Sequence, residues 1–193
     1  MAIPEVHSIL GASAAARWMN CTPSARLTES MEDEGSVFAA EGTAAHALAE
    51  WKVRKVLKMR AGRRPVCNYW TDEMEETTSD YCDFISDLVG QAKQHCKDPV
   101  TLIEQRLDFK YGRGVAVYAD HNPQMMLYAL GALNLFDCLY DIEQVTMTIF
   151  QPRLSSISTW TITAAELYQW AEEELKPKAE LAAKGEGEFV PGS

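Results

Sequence analysis

The stretch "TLIEQRLDFKYGRG" (residues 101–114) decides how this chain is read. Ile103, Leu107, Phe109 and Tyr111 alternate with Glu104, Arg106, Asp108 and Lys110, the period-two pattern of a strand with one apolar and one charged face. Gln105 is the misfit on the apolar side, and a glycine turn at Gly112 and Gly114 ends the run. Asp108 and Lys110 therefore share a face. A carboxylate there suits hard-oxygen ligation of Mg²⁺ or Mn²⁺, and a neighbouring lysine can offset charge building on a phosphoryl group. The same alternation also describes a solvated edge strand kept soluble by its charges. Spacing alone fits both readings.

Around this strand the period is mostly helical. "SILGASAAARWMN" (8–20) reads as a short helix stopped at "CTPS", and an acidic loop follows. From Val37 to about Arg60, Phe38, Ala45, Leu48, Ala49, Val53 and Val56 form an apolar stripe. A second long helix is expected over 71–97, its start rich in acids as the helix dipole favours. Beyond the glycine turn, "VAVY" reads as a short strand and 122–140 as an apolar helix with Pro123 in its first turn. "IEQVTMTIFQPRL" and "STWTIT" read as a hairpin, an amphipathic helix closes the fold, and residues 186–193 form a tail. The expectation is one domain over residues 1–193, α/β, with a small mixed sheet flanked by long helices.

Composition narrows the class. A chain of 193 residues with 47% hydrophobic and 24% charged residues is that of a soluble globular domain. No run approaches the roughly 18 apolar residues of a membrane span, and "MAIPEVHSIL" lacks the pattern of a signal peptide. A cytoplasmic protein is expected. The five cysteines form no C-x-x-C pair, which gives no support to a zinc ribbon. A net charge of −10 argues against a surface that coats nucleic acid throughout. One segment runs the other way. "KVRKVLKMRAGRR" (52–64) holds Lys52, Arg54, Lys55, Lys58, Arg60, Arg63 and Arg64 and no acid, a candidate phosphate-binding patch.

Three further features bear on chemistry. In "EGTAAHALAE", Gly42, His46 and Glu50 fall four residues apart, near one helix face. His46 has the right donor for Mn²⁺-like ions, though a histidine in this setting is more often a hydrogen-bonded structural one. Gly42 would let a backbone or ligand come close. Gln124 and Tyr128 share a face of the next helix, either as contacts to a nucleic-acid backbone or as the rim of a packed helix. Cys21 by itself is a thiol in the packing.

Taken in order, Gly-x-x-x-His, Asp-x-Lys and Gln-x-x-x-Tyr resemble the RecB-like branch of the PD-(D/E)xK nucleases, and more closely an uncharacterised phage-associated family within it. The phrases that carry the likeness are "PEVHSILGASAAARWMNCTPSARL", "AAEGTAAHALAE", "DFKYGRGVAVYADHNPQMMLYALGAL" and "LKPKAELAAKGEGEFVPG". The resemblance implies a restriction-endonuclease-like core and metal-dependent hydrolysis of DNA, in phage or prophage recombination or replication within a bacterial host. It implies His46 and Asp108 as ligands of Mg²⁺ or Mn²⁺, Lys110 as the catalytic lysine, Gln124 and Tyr128 as a supporting pair, and the basic run as a guide for DNA. Other recombination or replication proteins would be partners. A degenerate nuclease fold that binds DNA or protein is the alternative.

Two departures stand out. Relatives place a further acid on an earlier strand, in a phrase such as Gly-Thr-x-Asp, which this sequence lacks. "LIEQRLDF" resembles that family's earlier strand and "DFKYGRG" its later one, as though the segment between had been deleted. Glu104 is the only obvious stand-in, but at about 13 Å from Asp108 along an extended strand, ~3.3 Å per residue, it is too far to share one ion without a bend or bulge. Relatives also carry a cysteine cluster beyond "GEFVPG" which, with a cysteine matching Cys21, would hold an iron–sulfur cluster. Here three of the four thiolates are missing, so no cluster is expected and Cys21 stands as a remnant.

Overall fold

The computed structural model describes residues 9–29, 37–95, 116–136 and 138–191. The strand expected over 101–111, with Glu104, Asp108 and Lys110, lies outside them. Among the described residues a 3-10 turn (Ala12–Ala14) leads into α1 (Ala15–Asn20), α2 (Ser24–Leu27), α3 (Val37–Val56), α4 (Asp72–His95) and α5 (Pro123–Phe136). Strands β1 (Gln144–Gln151) and β2 (Ser156–Thr163) form a two-stranded sheet. Helices α6 (Ala164–Trp170) and α7 (Lys176–Lys184) close the chain. The class is mixed α/β.

The chain divides into two compact units: Met1–Asp33 with Tyr118–Thr148 and Thr159–Ser193, and Glu34–Val117 with Ile149–Ser158. In the second unit α3 and α4 pack side by side. Ala45, Leu48, Ala49 and Val53 of α3 recur at helical spacing and are buried, against Met74, Tyr81 and Cys82 of α4 and Phe150 of β1. Thr77 and Thr78 are buried on α4 because each hydroxyl donates back, to the carbonyls of Glu73 and Met74 four residues earlier, at 2.7 Å. Val56, expected in the apolar stripe, is instead exposed at the last turn of α3. Lys58 just beyond takes a left-handed conformation (φ 58°), and Met59 N–H donates to the Arg54 carbonyl at 2.8 Å. This is a helix stop of the kind glycine usually makes.

The first unit has two clusters. Met126, Ala129 and Leu133 of α5 pack with Met147 and Ile162 of the hairpin and Leu167 of α6. Trp18 and Met19 of α1 pack with Ala25 and with Ala182 of α7. Fully burying side chains of the size of Leu167 or Trp18 contributes about 1.5–3 kcal/mol each. The hairpin register is fixed by two cross-strand hydroxyl pairs, Thr146 with Thr161 at 2.9 Å and Thr148 with Thr159 at 3.1 Å. Pro152 to Ser155 then make the turn, with Ser155 left-handed at φ 47°.

Two local expectations change. The stretch "VAVY" is no strand where it is described: Ala116–Tyr118 is irregular, and the Val117 N–H donates to the buried Gln151 side chain at 2.7 Å. A side chain thus takes the donor that a strand partner would have satisfied. The closing helix carries a π turn at Ala171–Leu175. Pro177 follows it, lacking an N–H and needing room for its ring, and the wider turn absorbs both demands.

The last phrase is tied down. Thr22 Oγ1 donates to the Glu186 carbonyl at 2.6 Å, and Arg26 Nε to the Ala183 carbonyl at 2.7 Å, serving an otherwise unpaired acceptor at the end of α7. Gly187 sits at φ 115°, and a Cβ there would lie 2.2 Å from Thr22 Oγ1. Only glycine permits this approach.

Candidate functional site

Each sequence-selected residue takes its position from its own element. His46 lies on α3, half-buried, on the shoulder of the Ala45–Val53 stripe. One turn before it, Gly42 has no described atom within 4 Å of where a Cβ would stand, so none of the described backbone packs against it there. One turn after it, the Glu50 carboxylate accepts from Arg54 Nε at 2.7 Å. Among the described residues no group of three or more His, Cys, Asp or Glu is arranged to hold a metal ion. His46 is the member of the implied ligand set that they contain, and alone it does not make a metal centre. Asp108, Lys110 and Glu104 lie outside the described residues.

Helix α5 starts from an Asn122 cap, whose Oδ1 accepts the N–H groups of Gln124 at 3.1 Å and Met125 at 3.2 Å. Its buried residues, Met126, Ala129 and Leu133, recur on one side. Gln124 and Tyr128 fall roughly opposite, given 3.6 residues per turn. Both are half-buried, and Gln124 Nε2 donates to Tyr128 Oη at 3.2 Å. The two polar side chains are thus coupled to each other and turned away from the apolar core of α5.

The basic run divides into two sets. Lys52 is 11% exposed and donates to the Glu75 carbonyl at 2.6 Å and to Ser79 Oγ at 2.7 Å, with the Glu75 carboxylate at 3.0 Å. Arg54 is held by Glu50. Arg64 donates to Glu75 Oε2 at 2.7 Å, and its guanidinium lies 4.2 Å from the Trp70 ring and 5.7 Å from that of Trp51. Lys52 and Arg64 thus tie α3 and the loop after it to Glu75 of α4, and Arg54 pairs with Glu50 within α3. Lys55, Lys58, Arg60 and Arg63 are exposed, and so is Arg64 despite its pairing. For Lys52 the signal was in the sequence: it falls four residues after Leu48 and seven after Ala45, in register with the buried stripe.

Sequence reasoning missed Tyr69 and Trp70, which follow the basic run in "NYWTDE" and are 38% and 40% exposed. Cys21 is a half-buried free thiol next to Thr22, the residue to which the C-terminal phrase is tied. Burial, the adjacent Asp83 adding to it, raises the thiol of Cys82 and makes it a poor nucleophile.

The sequence matches the family described as "Protein of unknown function (DUF2800)" over residues 7–110 and again over 107–193, the two matches sharing 107–110. No solved structure matches the chain.

Proposed function

The chain belongs to the DUF2800 family, and from that premise we propose that it is a RecB-like nuclease that hydrolyses DNA phosphodiesters with Mg²⁺ or Mn²⁺, on a restriction-endonuclease-like core, in phage or prophage DNA metabolism. The observation that carries the reading is the Gln124–Tyr128 pair. It is hydrogen-bonded, faces away from the core of α5, and sits on the helix that follows the Asp108-x-Lys110 motif in sequence. That order is the one the nuclease resemblance calls for.

In this reading His46 and Asp108 hold the ion; Glu104, about 13 Å from Asp108 along an extended strand at ~3.3 Å per residue, joins them only through a bend or bulge. When bound, the ion supplies a more acidic water and charge for the phosphate oxygens. The Lys110 ammonium offsets the negative charge that develops on the attacked phosphoryl group. Gln124 and Tyr128, each fixing the other's rotamer, orient the lysine or the DNA backbone. Linear DNA incubated with the protein and Mn²⁺ is expected to be degraded, and Lys110→Ala, folded by circular dichroism, is expected to lose that activity. No cleavage by the wild type, or equal cleavage by Lys110→Ala, would sink the proposal.

A second reading is favoured by one observation. The two family matches meet within "LDFK", where the sequence looks like two strands fused. A strand and its carboxylate lost there would leave a nuclease-derived scaffold that binds DNA without cutting it. Calorimetric titration with Mn²⁺ separates the two: saturable binding abolished by His46→Ala supports the enzyme, and negligible binding by both proteins supports the scaffold.

A further inference from the structure

We propose that the loop between α3 and α4, residues 57–71, is a binding surface for single-stranded DNA, with Tyr69 and Trp70 as stacking platforms for bases and Lys55, Lys58, Arg60 and Arg63 as phosphate contacts. The inference builds on the DNA reading above but not on hydrolysis, and it names the form of DNA that this surface selects.

Three observations carry it. The first is that the loop is built rather than slack. Trp51 Nε1 donates to the Gly62 carbonyl at 3.1 Å, Arg64 is paired to Glu75, and its guanidinium lies over the Trp70 ring. These internal ties hold the ring of Trp70 in place, so stacking on it forfeits little side-chain freedom. The second is exposure. Tyr69 and Trp70 stand 38% and 40% exposed beside Val66 at 94%, in a loop whose other large aromatic partner, Trp51, is half-buried.

The third is charge. Lys55, Lys58, Arg60 and Arg63, all exposed, fall within ten residues on a chain of net charge −10, while Glu75 at the start of α4 is already paired with both Lys52 and Arg64. Asp72 and Glu76, exposed at the start of α4, bound the patch on its acidic side. Cations interleaved with exposed rings suit splayed bases on a phosphate backbone. A duplex keeps its bases stacked and offers the rings nothing. A protein partner of acidic and apolar surface is the competing occupant, and salt-sensitive oligonucleotide binding separates it.

The test is fluorescence anisotropy of a labelled thymidine 20-mer and of a duplex of the same length, in EDTA so that cleavage contributes nothing. The single strand is expected to bind at least tenfold more tightly. Tyr69→Ala and Trp70→Ala are each expected to weaken it about five- to 100-fold, as loss of one stacked base does. Tyr69→Ala guards against Trp70→Ala acting only by loosening Arg64. Arg60→Gln with Arg63→Gln is expected to lower the slope of log K against log salt by about 1.4, at roughly 0.7 per single-strand phosphate contact. Equal or tighter duplex binding, no oligonucleotide binding at low salt, or wild-type affinity in both aromatic variants would each overturn the proposal. Cleavage with Mn²⁺ is scored separately: cleavage without this preference overturns only the surface, and the preference without cleavage overturns only the hydrolytic reading.

Discussion

Replacing Lys52 by methionine tests whether the basic run is divided as the structure has it. Methionine keeps much of the apolar stem and removes the ammonium. That ammonium makes two hydrogen bonds and an ion pair from a side chain 11% exposed. A hydrogen bond to a charged group contributes about 1.5–3 kcal/mol. Glu75 stays paired with Arg64 at 2.7 Å, and Ser79 Oγ still donates to the Glu75 carbonyl at 2.9 Å, so nothing is stranded. The loss therefore falls below the 3–5 kcal/mol of an orphaned buried charge, and about 2 kcal/mol is expected. Urea denaturation should show a lower midpoint at unchanged m-value. Oligonucleotide affinity and its salt slope should stay at wild-type values, because a Lys52 held by Glu75 and Ser79 contacts no phosphate and displaces no counterion. A midpoint shift worth less than about 0.5 kcal/mol, the range of ordinary surface substitutions, or a reduced salt slope, would refute the division.

Other outcomes follow from the same geometry. Arg153, 9% exposed, holds Glu41 of α3 at 2.9 Å and Glu73 of α4 at 3.1 Å; Arg153→Met should cost about 2–4 kcal/mol in urea melts, less than a fully buried triad because Glu73 is partly solvated. Gly187→Ala should lower the thermal midpoint and expose the C-terminal phrase to protease, since its Cβ would collide with Thr22; an unchanged digestion pattern would count against the tie. Hydrogen bonds from Thr163 hold the Glu166 carboxyl below its usual range. A lowered folded value means the contribution is present above the unfolded pKa and fades as pH falls through the folded one. Glu166→Ala should therefore flatten the acid limb of stability below about pH 4.3, the ordinary glutamate value, and an unaltered limb would show the capping box to be inert.

Much of the fold was legible because local patterns carry it. The three-and-four spacing of Ala45, Leu48, Ala49 and Val53 specifies an amphipathic helix, and the Thr146–Thr161 and Thr148–Thr159 pairs follow from two alternating runs about a short polar turn. Thr163 with Glu166 marks the start of α6 as a capping box. The π turn before Pro177 was not legible, because which turn yields to a proline depends on how the helix is packed on either side. Gln124 and Tyr128 could be placed on one helix face by their spacing, but their hydrogen bond could not.

The basic run shows the boundary most clearly. By itself the sequence determined that seven cations with no intervening acid fall on the end of a helix and the loop after it. It determined too that His46, Gln124 and Tyr128 lie on helices. Only the tertiary structure decided which acceptors hold which cations. The acceptors of Lys52 and Arg64, the Glu75 carbonyl and carboxylate and Ser79, come from α4. Arg54 is held by Glu50 one turn back on α3, and the rings near Arg64 come from Trp51 on α3 and Trp70 in the loop. A charge's availability is set by what lies within about 3 Å of it, and residues far apart in sequence supply that neighbourhood.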